Sequence, residues 1–329
     1  MFCTPEVSGD LLFIGSCAGN FYALDKNTGL TKWVYDIKKD GKQTSFHGDM
    51  LFTEDLVIIG TDHTTGHVYA FEKKTGELRW KYPAGPGVAA TAVRRGEKIY
   101  FPTLEDRLVC LNLKNGKETW SFPTGYSLHE RPVWNHSPLV KKDTVFFGGL
   151  DGVVYARDAD SGELKWKKEL SDRVSTSFVI RGNYLYVGTR NGHIYKLDEN
   201  SGAIEKEFKI NVPGTISGEM TLTRNSIVFF VNWSKEGGEM LSVDLSLDRV
   251  LWRQKAPSGA SWFTAKPFIF RDAILVGTEK GDIYAFRVTD GVNMWQHILR
   301  NETVRSFGSH EDILYIGTLQ GNLYAAAVK

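Results

Sequence analysis

The stretch GNFYALDKNTGLTKW, residues 19–33, packs an alternating apolar run, an acid, a Thr-Gly pair and a tryptophan into fifteen positions. In FYALD alternate residues face opposite sides of a pleat, and the alanine leaves room on one face for a bulky neighbour. DKNTG then makes a tight turn. Asp25 accepts from nearby backbone N–H groups, Thr28 does so more weakly, and Gly29 supplies a positive φ at no steric cost. Trp33 begins the strand beyond the turn and brings one large ring to bury against a neighbouring unit.

The pattern recurs as GHVYAFEKKTGELRW (66–80), DRLVCLNLKNGKETW (106–120) and GVVYARDADSGELKW (152–166). More degenerate copies follow: GHIYKLDENSGAIEKEF (192–208), GEMLSVDLSLDRVLW (238–252), GDIYAFRVTDGVNMW (281–295) and a truncated GNLYAAAVK (321–329). Between the central positions Tyr22, Tyr69, Val109, Tyr155, Tyr195, Leu241, Tyr284 and Tyr324 the spacings are 47, 40, 46, 40, 46, 43 and 40 residues. A period of that length is what a four-stranded propeller blade occupies. Ahead of each copy stands a short β-rich run such as LLFIGS, LVIIGT or YLYVGT ending in a glycine-containing turn, and ahead of that a less regular strand. Each unit thus reads as strands A, B, C and D, with D starting at the tryptophan. The expected fold is all-β, an eight-bladed β-propeller of four-stranded antiparallel blades with the last blade incomplete, and residues 1–329 form a single domain. Trp33, Trp80, Trp120, Trp166, Trp252 and Trp295 are structural docking residues, since the same residue at equivalent positions argues for packing.

The order Gly-x-apolar-Tyr-Ala-apolar-Asp, then Thr/Ser-Gly, then Trp, resembles the pyrroloquinoline quinone (PQQ)-like repeat, also called the tryptophan-docking motif. Local departures are Val109-Cys110 and Leu241-Ser242 for Tyr-Ala and Phe208 for tryptophan in the fifth copy. The resemblance implies one of three classes: quinoprotein alcohol dehydrogenases with PQQ and Ca²⁺, the cofactor-free propeller lipoprotein of the outer-membrane β-barrel assembly machine, or propellers serving as sensors and scaffolds. The dehydrogenases are much longer chains with a disulfide between adjacent cysteines. Cys3, Cys17 and Cys110 are nowhere adjacent, and no Asp-rich loop supplies the oxygens of a Ca²⁺ site.

Other totals narrow the field. Forty Lys and Arg against 39 Asp and Glu leave a net charge of +1, which gives no general attraction for nucleic acid. Apolar runs such as LVIIG fall far short of the roughly 20 residues a spanning helix needs. The three cysteines have neither disulfide nor CxxC spacing and read as buried thiols. The chain begins MFCTPEVSGDLLFIG, without a recognisable export signal. A signal removed upstream implies the periplasm or cell envelope; otherwise the location is the cytoplasm. The eighth copy stops after strand C, so a short β run upstream of Met1 is expected to complete the last blade and cover its edge.

Function is expected in the D-to-A and B-to-C connections, which share one face of a propeller. His47 with Asp49, Asp62 with His63, and His129 with Glu130 and Arg131 would bring imidazoles and acids onto that face, and His136 and His310 are assigned to it too. Such a set suits a divalent metal, or, with Arg131, Arg173 and Arg305, a small anion. The competing reading, which the lack of any HxH or HExxH spacing favours, is that these polar side chains line a water-filled channel. Trp233 and Trp262, with Trp134, fall in the same connections, as core filling or as exposed anchors for a partner. No GxSxG, P-loop or GxGxxG is present. The expected function is a non-catalytic binding or scaffolding propeller that presents its loop face to a protein or peptide, with no catalytic residue and no cofactor. The alternative is a metal- or quinone-binding propeller, an oxidoreductase, with its site in the funnel.

Overall fold

A computed structural model describes residues 3–41, 45–46, 48–62, 65–123, 136–211, 214–234, 237–257, 262, 264 and 266–328. The chain forms eight antiparallel sheets taken up in sequence order. Six are four-stranded with strands in the order A-B-C-D. In the second sheet strand A is broken into Ser45–Phe46 and Leu51–Phe52, both paired with Leu56–Asp62. The eighth has three strands, Val304–His310, Ile313–Thr318 and Leu323–Ala327. The expected all-β, eight-bladed architecture is therefore observed.

The quoted stretch folds as its residues dictate. Asp25 Oδ1 accepts from the N–H of Asn27 and Thr28 and from Thr28 Oγ1 at 3.1, 2.9 and 3.0 Å. Gly29 takes φ 71°. Asp198 repeats the arrangement with Asn200 and Ser201. Across the hairpin Ala23, Ala70, Ala156 and Ala285 stand opposite Trp33, Trp80, Trp166 and Trp295, so the small residue makes space for the ring beside it. Strand D begins before the ring rather than at it. Thr31–Asp36 and Leu78–Pro83 both carry the tryptophan as their third residue, because pairing resumes as soon as the turn closes.

The rings dock on the following copy. The indole Nε1–H of Trp33, Trp80, Trp120, Trp166 and Trp252 donates to the carbonyls of Lys73, Leu113, Ala159, Glu199 and Val288. Each ring also lies on that copy's turn glycine: a Cβ on Gly76 or Gly116 would sit 2.6 Å from Trp33 or Trp80. Those glycines, at φ 72° and 67°, serve two demands, a left-handed backbone and a bare face for the ring. A second set acts differently. Gly15, Gly188 and Gly277 end strand B, and Gly60 lies two residues before its end, instead of turning the chain. A Cβ there would meet Phe46, Val88, Thr176 or Val304 at 2.4–2.8 Å, so these positions admit a close crossing by another segment. The threonine that follows Gly60 closes the B-to-C turn: Thr61 Oγ1 donates to His67 O and accepts from His67 N–H, and Thr318, after Gly317, does the same with Asn322.

Register corrects one assignment. In the fifth sheet Lys196 stands opposite Lys206, the pairing that Ala and Trp make elsewhere, whereas Phe208 faces Ile194. Lys206, not Phe208, replaces the tryptophan. Cys3 and Cys110 are buried and Cys17 is half-buried, all as free thiols. Burial raises the thiols of Cys3 and Cys110, the latter to about 11.

The chain packs as two compact units, Met1–Val145 with Ala159–Gly162 and Ser306–Lys329, and Phe146–Asp158 with Glu163–Arg305. The first has an aromatic core in which Phe13, Phe21, Trp33, Phe46 and Phe71 meet ring to ring, and a second, mostly aliphatic cluster around Ile58, Val88, Ile99 and Leu111. The second unit is built on Ile194, Ile216, Phe229 and Leu241, and on Phe230, Trp252, Trp262 and Ile274.

Candidate functional site

Backbone pairing brings the two classes of connection together. Arg190 N–H, in a B-to-C turn, donates to Arg173 O in the D-to-A segment before it at 3.0 Å. Val174 bridges Thr189, Gly87 bridges Asp62 and Trp262 bridges Thr278. In each case a D-to-A segment crosses a B-to-C turn, which is where the strand-B glycines leave room.

His47, His63, His129, Glu130, Arg131 and Trp134 lie outside the described residues. Asp49 and Asp62, the acids expected to join them, are engaged: Asp49 Oδ1 accepts from Thr4 N–H at 2.8 Å and Asp62 Oδ1 from Ser45 Oγ at 2.5 Å. His136 is half-buried, and burial pushes its imidazole down to about 4, so it is neutral at pH 7. Arg173 and Arg305 are half-buried beside the buried Val174 and Val304. For Trp233 the backbone lies in Ser226–Ser234 and the side chain is outside what the structure describes.

His310 sits elsewhere than expected, and Trp262 matches the core-filling alternative. His310 ends the seven-residue strand Val304–His310 at its A-to-B turn. That is the end remote from the D-to-A connection, about 20 Å along an extended strand of this length. There His310 Nε2 accepts from Lys26 Nζ at 3.3 Å, beside the first copy's C-to-D turn. Trp262 is a core residue, 3% exposed, stacked on Phe230 and edge-on to Tyr284 and Phe286. Among the described residues no three His, Cys, Asp or Glu converge in metal-binding geometry.

What the residue-by-residue reading passed over is a column at the second residue of each repeat copy, the first of strand C in six of them: Asn20, His67, Arg107, Val153, His193, Glu239, Asp282 and Asn322. Seven are polar, and several reach diagonally to strand D. Arg107 donates to Ser121 Oγ at 2.6 Å, His193 Nδ1 meets Glu207 Oε1 at 2.5 Å, and Glu239 lies 3.5 Å from Arg253. In the fifth sheet the column expands into a network. Tyr195 OH donates to Ser171 Oγ at 2.8 Å and lies 3.1 Å from Glu207 Oε1, while Asn191 Nδ2 donates to Ser171 Oγ and Thr189 Oγ1 donates to Asn191 Oδ1. A D-to-A residue, a B-to-C turn and strands C and D are thereby tied into one rigid polar surface. The second sheet has a counterpart: Asp40 accepts from Tyr35, Tyr69 and Lys81. Desolvation opposes its charge, but the hydrogen bonds from Lys81 and Tyr35 outweigh that and hold its carboxyl below the ordinary range. The sequence signal was the polar residue between the opening residue, glycine except for Asp106 in the third copy, and the apolar residue of every copy but the fourth.

Repeated C-to-D turns, tryptophans seated on glycines and sheets of A-B-C-D order define an eight-bladed β-propeller of the tryptophan-docking class, its eighth blade three-stranded. The sequence model of one family, described as outer membrane protein assembly factor BamB, matches residues 4–208 and 208–329, and the chain belongs to that family. Curated relatives of the same description include the protein of Shewanella oneidensis, 24% identical over 65% of this chain and 54% of that protein. The protein of Burkholderia pseudomallei is 24% identical over 72% and 62%. The chain spans about half the length of the first of these relatives. Among solved structures, BamB from Moraxella catarrhalis superposes with a TM-score of 0.77 at 18% identity, covering 98% of this chain and 93% of that one. Shorter similarity extends to the quinohemoprotein alcohol dehydrogenase ADH IIB of Pseudomonas putida, 37% identical over 22% of this chain and 11% of that enzyme.

Proposed function

We propose that the chain is a non-catalytic scaffold of outer-membrane protein assembly that acts as one propeller domain in the cell envelope and presents its D-to-A and B-to-C connections to a protein partner. The observation that carries this reading is a division of labour. Asp25, Gly76 and Trp33, with their repeats, are committed to turns and docks, while the varied polar side chains of Ser171, Asn191, His193 and Glu207 are held by one another at a connection edge. Pre-ordered donors and acceptors on a rigid sheet suit recognition, since little side-chain freedom remains to be lost on binding. The family match over residues 4–329 supports the assembly role, and no helix among the described residues is long and apolar enough to cross a membrane.

Photo-crosslinking in intact envelopes tests the reading. A reactive amino acid at Arg190 or Asn191 is expected to capture a component of the β-barrel assembly machinery, and one at Asn27 or Glu311, at the opposite ends of their strands, to capture none. Capture confined to Asn27 and Glu311 contradicts it. The metal- or quinone-binding alternative, favoured by the short dehydrogenase similarity, predicts a stoichiometric metal in the purified protein that His47→Ala and His129→Ala remove. Metal content near zero in the parent protein excludes it.

A further inference from the structure

The junction between the fifth and sixth sheets, wholly within the second unit, is built from different parts than the other docks. Where a tryptophan stands elsewhere there is Lys206, directly opposite Lys196. Like charges facing each other across a strand pair repel, so each must find separate compensation. Lys196 Nζ lies 4.2 Å over the ring of Tyr184, and Lys206 Nζ donates to Asp248 Oδ1 at 2.7 Å. Asp248 is the fourth residue after Asp244, the place that Gly202 holds after Asp198. Ring and glycine have been lost together, and lysine and aspartate stand in their places.

The turn is reshaped accordingly. Leu247 takes φ 58° and its N–H donates to Asp244 O, three residues back, whereas Gly202 N–H reaches Asp198 O, four back. Leu247 turns inward and is buried with Ile194, Ile210 and Leu241, and Tyr186 OH donates to Leu245 O at 2.8 Å, so the deep half of the junction stays closed. The outer half is held differently. The Lys206 and Asp248 side chains are 44% and 57% exposed, a setting in which salt screens an ion pair and its net strength is small. Trp80, which does the corresponding work three junctions earlier in its own unit, is 7% exposed.

We infer that strand Ile204–Lys209 is an ionic latch: an outer strand that releases from the sixth sheet as ionic strength rises while the apolar core of the junction remains packed. The tryptophan-docked strands lack this response, because ring burial and an indole hydrogen bond to a carbonyl are screened little by salt.

Hydrogen exchange of the whole protein, read at single amides in about 0.05 M and about 1 M sodium chloride, tests the latch, since the Debye length shrinks severalfold across that range. Exchange at Leu247 and Asp248, corrected for intrinsic rates, is expected to speed up by about two- to fourfold in high salt, with Gly76 and Gly116 changing by less than about 1.5-fold. Lys206→Met, which keeps the stem and removes the charge, is expected to give fast exchange at low salt and no further response. Salt-independent exchange at Leu247 and Asp248 in the parent protein, an equal salt response at Gly116, or unchanged low-salt protection in Lys206→Met overturns the inference.

Discussion

Trp80 on Gly116 and Lys206 against Asp248 occupy the same place in the second and fifth repeats and hold their sheets by opposite physics. The first buries an aromatic ring over a bare backbone and satisfies its one polar atom with the carbonyl of Leu113. The second pairs two exposed charges in water. The comparison teaches that the repeat specifies a position more strictly than it specifies an interaction: strand register survives the exchange intact, with Lys196 and Lys206 paired as Ala70 and Trp80 are. Trp295 falls between the two, keeping its alanine partner Ala285 but remaining 36% exposed.

The largest effect expected is from Trp80→Ala, which removes a buried ring and its hydrogen bond; denaturant unfolding should show a loss of about 3–5 kcal/mol. A loss below about 1 kcal/mol would erase the distinction between the two kinds of junction. Next comes Gly116→Ala, where the new methyl meets the Trp80 ring and the backbone is held at φ 67°; we expect roughly 2 kcal/mol, measured in the same way. Acid sharpens the comparison from the turn side. Hydrogen bonds from Thr28 pull the Asp25 carboxyl from 3.8 to about 2, and those from Ser201 lower Asp198. A carboxyl whose folded value is depressed contributes stability above its unfolded value, which is lost as pH falls through the folded one. Thermal unfolding should therefore weaken between about pH 4 and pH 2, with a shallower slope in Asp25→Asn; superimposable profiles would deny the turn this role. Smallest is Lys206→Ala, at most about 0.5–1 kcal/mol by denaturant unfolding, since its ion pair is exposed.

Much of the fold could be read from residues alone. The turn chemistry of Asp25, Thr28 and Gly29 and the pairing of alanine with tryptophan are local rules, and repetition made them legible. The misreadings have physical causes as well. Phe208 attracted the tryptophan's role because it is aromatic, but the register with strand C places Lys206 opposite Lys196. His310 was assigned to the connection end because ETVRSFGSH (302–310) read as one connecting segment; most of it is the seven-residue strand Val304–His310, which carries the histidine to the other end. Glycines after strand B looked like turn formers and proved to be close-approach positions, a property of tertiary crossings that no local pattern reveals. The polar network on Ser171, Asn191, Tyr195 and Glu207 joins four segments separated by up to 36 residues, and such convergence is visible only once the sheets are in place.

The most direct test of the account compares partner retention with stability in one pair of variants. Arg173→Glu combined with Arg190→Glu alters two connection residues, and Trp80→Ala alters a dock. The account predicts that the arginine variant keeps the parent melting temperature within about 2 °C and no longer co-purifies the β-barrel assembly machinery, while Trp80→Ala, held below its lowered melting temperature, retains it. Full retention by the arginine variant, or loss by Trp80→Ala while still folded, would contradict the assignment of building to the repeat and binding to the connections.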